Sequence, residues 1–154
     1  MDDGAMSYKR ILTGTDGMPP SLEAVRHAAA IAKASGAELV IMSVYRPVDP
    51  VTVEQWKEQA PEEFAWRLGP ASPAEGAVER GVDVAKEMGV DARTRIEQGD
   101  PADTILKVAE LEDADLIVVG NRGMKGPTRF LLGSVPNVIS HHAPCDVLIV
   151  KTYP

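Results

Sequence analysis

Cysteine is nearly absent from this chain: one residue, Cys145, in 154. A lone thiol closes no internal disulfide, so the fold must rest on its core, and the expected setting is cytoplasmic. Long apolar runs are missing too. None approaches the ~20 residues of a membrane span, and "MDDGAMSYKR" at the start has no basic stretch followed by an apolar one, so neither a membrane partner nor a secretory leader is expected. Positive charge is in deficit. Sixteen Lys and Arg against 23 Asp and Glu leave a formal charge of −7, which disfavours general binding to nucleic acid or anionic lipid. The three histidines, His27, His141 and His142, have no carboxylate or cysteine at ligand spacing, and no Ser/His/Asp set with a nucleophile elbow is visible. Neither GxxxxGK[ST] nor a GxGxxG after the first strand occurs, which removes the two commonest phosphate-binding fingerprints.

What is present is 44% hydrophobic residues, enough to build the core of one domain of ordinary size. "RILTGT" (Arg10 to Thr15) reads as a first strand. It leads into "MPPSLEAVRHAAAIAKASG", a helix with Ser21 as N-cap, Leu22, Val25, Ala29 and Ala32 on one stripe, and Gly36 as its stop. "AELVIMSVY" is apolar on both faces, as in a parallel sheet covered on both sides. "SPAEGAVERGVDVAKEMG" carries a capping box of Ser72 and Glu75 with Pro73 in the first turn, and a buried stripe of Val78, Val82, Ala85 and Met88. "DARTRIEQ" alternates like an edge strand, and "GDPADTILKVAELED" is a helix capped by Asp100. "ADLIVVG" is the strongest strand, "SVPNVISHH" a short helix and "CDVLIVKT" a last strand, with Cys145 a small core residue at its start. Five strands alternating with four helices spell a doubly wound, Rossmann-like α/β domain, whose ligand belongs at the carboxyl ends of strands where strand order reverses. Residues 1–6 read as a flexible extension and 7–154 as the domain. The segment 45–71 breaks the rhythm with Pro47, Pro50, Pro61 and Pro70, and it holds Trp56, Phe64 and Trp66. It reads as a surface excursion with a short helix whose aromatics pack on the domain, or as a lid.

The remaining feature is "GNRGMKGPTRFLLGSV", Gly120 to Val135, which follows the strongest strand. Gly120, Gly123 and Gly133 let backbone approach a ligand closely. The first-turn N–H groups after Ser134 favour an anion, and Arg122, Lys125 and Arg129 add positive charge. Together these suit a phosphate, held locally in an acidic protein.

The spacing Gly120-x2-Gly123-x9-Gly133-Ser134 closely resembles the G-2x-G-9x-G(S/T) signature of the universal stress protein family. "ILTGTDGMPPSLEAVRHAAAIAK", "GDPADTIL", "ADLIVVGNRG" and "GSVPNVISHHAPCDVLIV" resemble successive segments of the same family, over nearly the whole chain. The resemblance implies a five-stranded parallel sheet in order 3-2-1-4-5, an adenine nucleotide (ATP, AMP or cyclic AMP) as ligand, and a homodimer formed through the C-terminal strand. It places Gly14, Thr15 and Asp16 in the first loop near adenine or a phosphate-bound metal, which with ATP would be Mg²⁺. It also sets Val40 and Met42 beside adenine through backbone, and Gly120, Asn121, Arg122, Gly123, Lys125, Arg129, Gly133, Ser134 and Val135 around ribose and phosphates. Three positions depart from the family pattern: Gly14 stands where proline is commoner, Met18 where serine is, and Pro136 in place of a hydroxyl residue. A branch of the family with "GSVP" binds cyclic AMP. Turnover has little support, since Asp16 is one carboxylate without a paired base. The open readings are a nucleotide-binding stress protein, a slow Mg-dependent ATPase acting through Asp16, and a dimeric interaction module that binds no nucleotide.

Overall fold

The structure, a computed structural model, describes residues 7–121 and 134–152, and of Ser134 the backbone alone. Its elements in chain order are β1 (Arg10–Gly14), α1 (Pro19–Ser35), β2 (Glu38–Tyr45), α2 (Pro50–Gln59), α3 (Glu62–Ala65), α4 (Ser72–Glu87), β3 (Ala92–Gln98), α5 (Pro101–Leu111), β4 (Leu116–Gly120), α6 (Ser134–His142) and β5 (Asp146–Val150). The strands form one sheet in order β3-β2-β1-β4-β5, every pair parallel. The expected topology is therefore observed, with the continuous apolar strands β2 and β4 inside and alternating β3 on an edge.

Two cores follow from the pleat. Ile11, Leu39, Ile41 and Val118 face α1 and α4, against Val25, Ala28, Ala29, Val78 and Ala85. Leu12, Val40, Met42 and Ile117 face α5 and α6, against Ile105, Val108, Ala109 and Ile139. Alanine on the buried stripe of α1 lets that helix approach the sheet closely. Gly36 ends α1 in the left-handed region at φ 72°, as a C-terminal glycine should. Asp100 caps α5 by accepting from the Asp103 N–H at 3.2 Å. Cys145 is half-buried against the second core, and burial raises its thiol pKa.

Four expectations need correction. The four helices between strands are there, but the described residues contain six helices, because 45–71 folds into α2 and α3. Its aromatics do not all pack on the domain. Phe64 is 49% and Trp66 74% exposed, and Val53 of α2 is the buried anchor instead. The physical reason is that α3 is a single turn of four residues, too short to present an apolar stripe. Trp66 turns back on it to donate its indole N–H to Glu63 O at 2.9 Å, while the Arg67 guanidinium lies over both rings. Ser21 is not an N-cap: α1 begins at Pro19, whose ring and that of Pro20 remove two of the N–H groups a cap would serve, and Ser21 bonds Asp16 instead. Ser72 forms no capping box, since its hydroxyl accepts from the Gly69 N–H at 2.8 Å and Ala71 occupies the cap position.

Candidate functional site

β1 and β4 are neighbours, yet β1 feeds α1 on one face of the sheet while the helix after β4 packs on the other. Their carboxyl ends therefore part, and the crevice between them is the switch point of the fold.

The exit of β1 is tightly specified. Gly14 lies close to α5, so that a Cβ there would come within 3.1 Å of Ile105 Cδ1. Thr15 is buried and donates its N–H to Met42 O at 2.9 Å. Gly17 adopts φ 79°, a conformation that favours glycine, and its N–H donates to Thr15 Oγ1 at 3.0 Å. Thr15 Oγ1 lies 2.7 Å from Ser21 Oγ, which donates to Asp16 Oδ1 at 2.7 Å. The Met18 N–H reaches the same carboxylate oxygen at 3.0 Å. Ser21 Oγ also accepts from the Asp16 N–H at 3.1 Å and lies 3.1 Å from Met18 O. This hydroxyl network sets the orientation of the exposed Asp16 carboxylate at the edge of the crevice. From α4, Arg80 Nε donates to Gly17 O at 3.0 Å.

The exit of β4 is fitted against the chain after β5. A Cβ on Gly120 would meet Thr152 Cγ2 at 2.8 Å and Pro20 O at 3.7 Å. Asn121 is buried, and its Oδ1 accepts from the Thr152 N–H at 2.8 Å and from Thr152 Oγ1 at 2.9 Å. These contacts hold the start of the glycine-rich segment beside the N-terminus of α1.

The structure thus brings Gly14, Thr15, Asp16, Gly120 and Asn121 to adjacent strand exits. Val40 and Met42 are fully buried, so their side chains belong to the core, and the Met42 carbonyl is engaged by Thr15. Val135 is half-buried against the same core. Arg122, Gly123, Lys125, Arg129, Gly133 and the side chain of Ser134 lie outside the described residues. Sequence reasoning missed the Asp16–Ser21 bond, although the spacing of five residues around a turn hints at it. It also missed Arg80, which reaches Gly17 across 63 residues with no sequence signal.

The strongest electrostatic perturbation among the described residues is elsewhere. Glu112, at the opposite edge of the sheet, has its carboxyl held down at about 2 by hydrogen bonds from Arg93 and then Arg95. Its partners are all structural, so it is a stabilising knot and not part of the crevice. No group of three His, Cys, Asp or Glu side chains that could hold a metal occurs among the described residues. No helix among them is long and apolar enough to cross a membrane.

Fold and site together define a doubly wound α/β protein with the Thr15–Met18 loop and the Gly120–Asn121 strand exit at its switch point. The universal stress protein family model matches residues 7–151, and the chain belongs to that family. A universal stress protein of Methanocaldococcus jannaschii is 39% identical over 152 residues, covering 97% of this chain and 85% of its own. Among solved structures, a universal stress protein in complex with cAMP is 34% identical with a TM-score of 0.74, covering 96% of this chain and all of its own. A Mycobacterium tuberculosis protein is 33% identical, with a TM-score of 0.61 over 97% of this chain and 100% of its own. The universal stress protein from Archaeoglobus fulgidus in complex with dAMP shares the fold at 21% identity, with a TM-score of 0.65 over 95% of this chain and 100% of its own.

Proposed function

We propose that this protein binds an adenine nucleotide (ATP, AMP or cyclic AMP) in the β1/β4 crevice and senses or sequesters it in the cytoplasm as part of a stress response. The observation that carries this reading is the ordered Thr15–Met18 loop, which holds Asp16 at the switch point beside the start of the glycine signature. The cAMP complex of a 34% identical relative supports the ligand class. In this reading Asp16 engages adenine or a phosphate-bound Mg²⁺. Gly120 and Asn121 set the path of the glycine-rich segment, and Arg122, Gly123, Lys125, Arg129, Gly133, Ser134 and Val135 surround ribose and phosphates. The connection 45–71 leaves and rejoins the fold at the same carboxyl edge of the sheet and is the segment suited to act as a lid.

The protein also works as a homodimer in this proposal. β5 lies at the edge of the described sheet, and an open groove of about 460 Å³, lined by Tyr8, Ile31, Leu116, Asp146, Val147 and Leu148, runs beside it. Sedimentation at micromolar concentration should give a dimer mass, and a monomer would remove that part of the proposal.

The test is a thermal-shift titration with ATP plus Mg²⁺, AMP, cyclic AMP and GTP in parallel. A ligand at ~100 times its dissociation constant stabilises by ~2.7 kcal/mol, or roughly 5–10 °C for a domain of this size. A shift with adenine nucleotides and none with GTP supports the reading. No shift from any of them, with folded and ligand-free protein, sinks it and leaves the interaction module. Phosphate release that disappears in Asp16→Ala would instead mark the slow ATPase.

A further inference from the structure

We infer that Arg80 is a positioning residue: by anchoring Gly17 to α4 it holds the Thr15–Met18 loop in the conformation that a ligand in the crevice meets. The part concerning ligand affinity rests on the nucleotide reading; the part concerning the loop does not.

The loop's own bonds, Gly17 to Thr15, Thr15 to Ser21, and Ser21 and Met18 to Asp16, all run between residues 15 and 21. They tie the crest of the loop to itself and to the first turn of α1, while the Thr15 N–H fixes the base of the loop to Met42 O of β2 at 2.9 Å. The crest of the loop is Gly17, in the left-handed region. Among the described residues, the hydrogen bond that ties this crest to a distant element is the one from Arg80 Nε to Gly17 O. The contact is close-packed. A Cβ on Gly17 would collide with Arg80 Nη2, lie 2.8 Å from Nε and 3.0 Å from Ala77 Cα, so α4 sits directly against the crest.

Arg80 is itself held in place. The next residue, Gly81, lies so near β2 that a Cβ there would be 2.9 Å from Ile41 Cγ2 and 3.6 Å from Thr15 Cγ2. One turn back, a Cβ on Gly76 would lie 3.6 Å from Arg80 Nη1. Glycine on either side of Arg80 thus lets α4 seat its guanidinium on the loop. Without that anchor, a loop whose crest needs φ > 0 populates other conformations. Apparent affinity then falls by the fraction of molecules still in the competent one.

The experiment compares full-length wild type with Arg80→Met, which keeps the apolar stem and loses the donors, and with Arg80→Lys, which keeps one. Amide hydrogen exchange reports the loop directly, and calorimetric titration with ATP and cyclic AMP at several salt concentrations reports affinity. The expected result for Arg80→Met is roughly tenfold faster exchange at Gly17 and Met18, with β1 and β4 amides unmoved, and roughly tenfold weaker binding with the same salt dependence. Arg80→Lys should recover part of both. Unchanged exchange at Gly17 and Met18 overturns the inference. So does weaker binding with a shallower salt dependence and unchanged exchange, because that pattern means Arg80 touches phosphate directly. If wild type binds no nucleotide, the nucleotide reading fails, and the exchange result alone decides for or against Arg80.

Discussion

Replacing Glu112 with glutamine should destabilise the fold by an amount that depends on pH. Glu112 is 8% exposed at the end of α5, and it accepts from Arg93 Nη2 at 2.6 Å and Arg95 Nη1 at 2.8 Å. Arg93 also pairs with Glu38 at 3.0 Å, and Glu38 with Arg10 at 2.7 Å, so one ionic knot joins β1, β2, β3 and the end of α5. The carboxyl stands at about 2 against an ordinary 4.5. At about 1.4 kcal/mol per tenfold in proton affinity, the charged form is favoured by about 3 kcal/mol. Arg93 is half-exposed, so screening trims the useful part to about 2 kcal/mol. Glu112→Gln should therefore melt about 4–8 °C lower at pH 7. The sign follows from the lowered folded-state pKa. The stabilisation is complete above the ordinary value of 4.5 and is lost as pH falls toward about 2. Circular-dichroism melts of wild type and variant from pH 7 to pH 2 measure the gap. It should be full at neutral pH, begin to close below pH 4.5, and be nearly gone at the acid end. No gap at neutral pH, or a gap unchanged at pH 2, refutes the reasoning.

Three other perturbations have definite outcomes. Gly120→Ala should cost about 1–3 kcal/mol by forcing a methyl against Thr152 Cγ2, and adding Thr152→Ser, which removes that methyl and keeps the hydroxyl on Asn121, should restore most of it in urea denaturation. Trp66→Ala should change stability by less than about 0.5 kcal/mol, because the ring is 74% exposed; a larger loss in the same urea assay would mean that it packs on the domain after all. Asp16→Asn keeps Oδ1 as acceptor for Ser21 and Met18 but removes the charge. It should reduce the melting-point shift that nucleotide produces, and an undiminished shift would mean that the Asp16 charge takes no part in binding.

The strand and helix alternation was legible because the helices carry apolar stripes at three- and four-residue spacing while β2 and β4 are short unbroken apolar runs, and because Gly36 and Asp100 mark their helix ends with local chemistry. Local signals misled where a competing partner lay nearby. Ser21 and Ser72 both have the composition of caps, but one hydroxyl serves Asp16 and the other Gly69. The segment 45–71 announced itself by its prolines, yet whether Trp66 would be covered depended on how long α3 could run, and four residues present no apolar face. Of the candidate site, Asp16 and Gly120 were readable as residue types at strand exits. Their surroundings were not, since Gly120 is matched to Thr152 and Gly17 to Arg80.

The sequence alone determined the class of fold, the alternation of its strands and helices, and the family, because periodicity, turn chemistry and motif spacing are local along the chain. Only the tertiary structure decided which glycine is close-packed against which side chain, which hydroxyl orients Asp16, and that Arg93, Arg95 and Glu112 share one knot. Those contacts join residues far apart in sequence, and their geometry exists only once both helical layers have closed on the sheet.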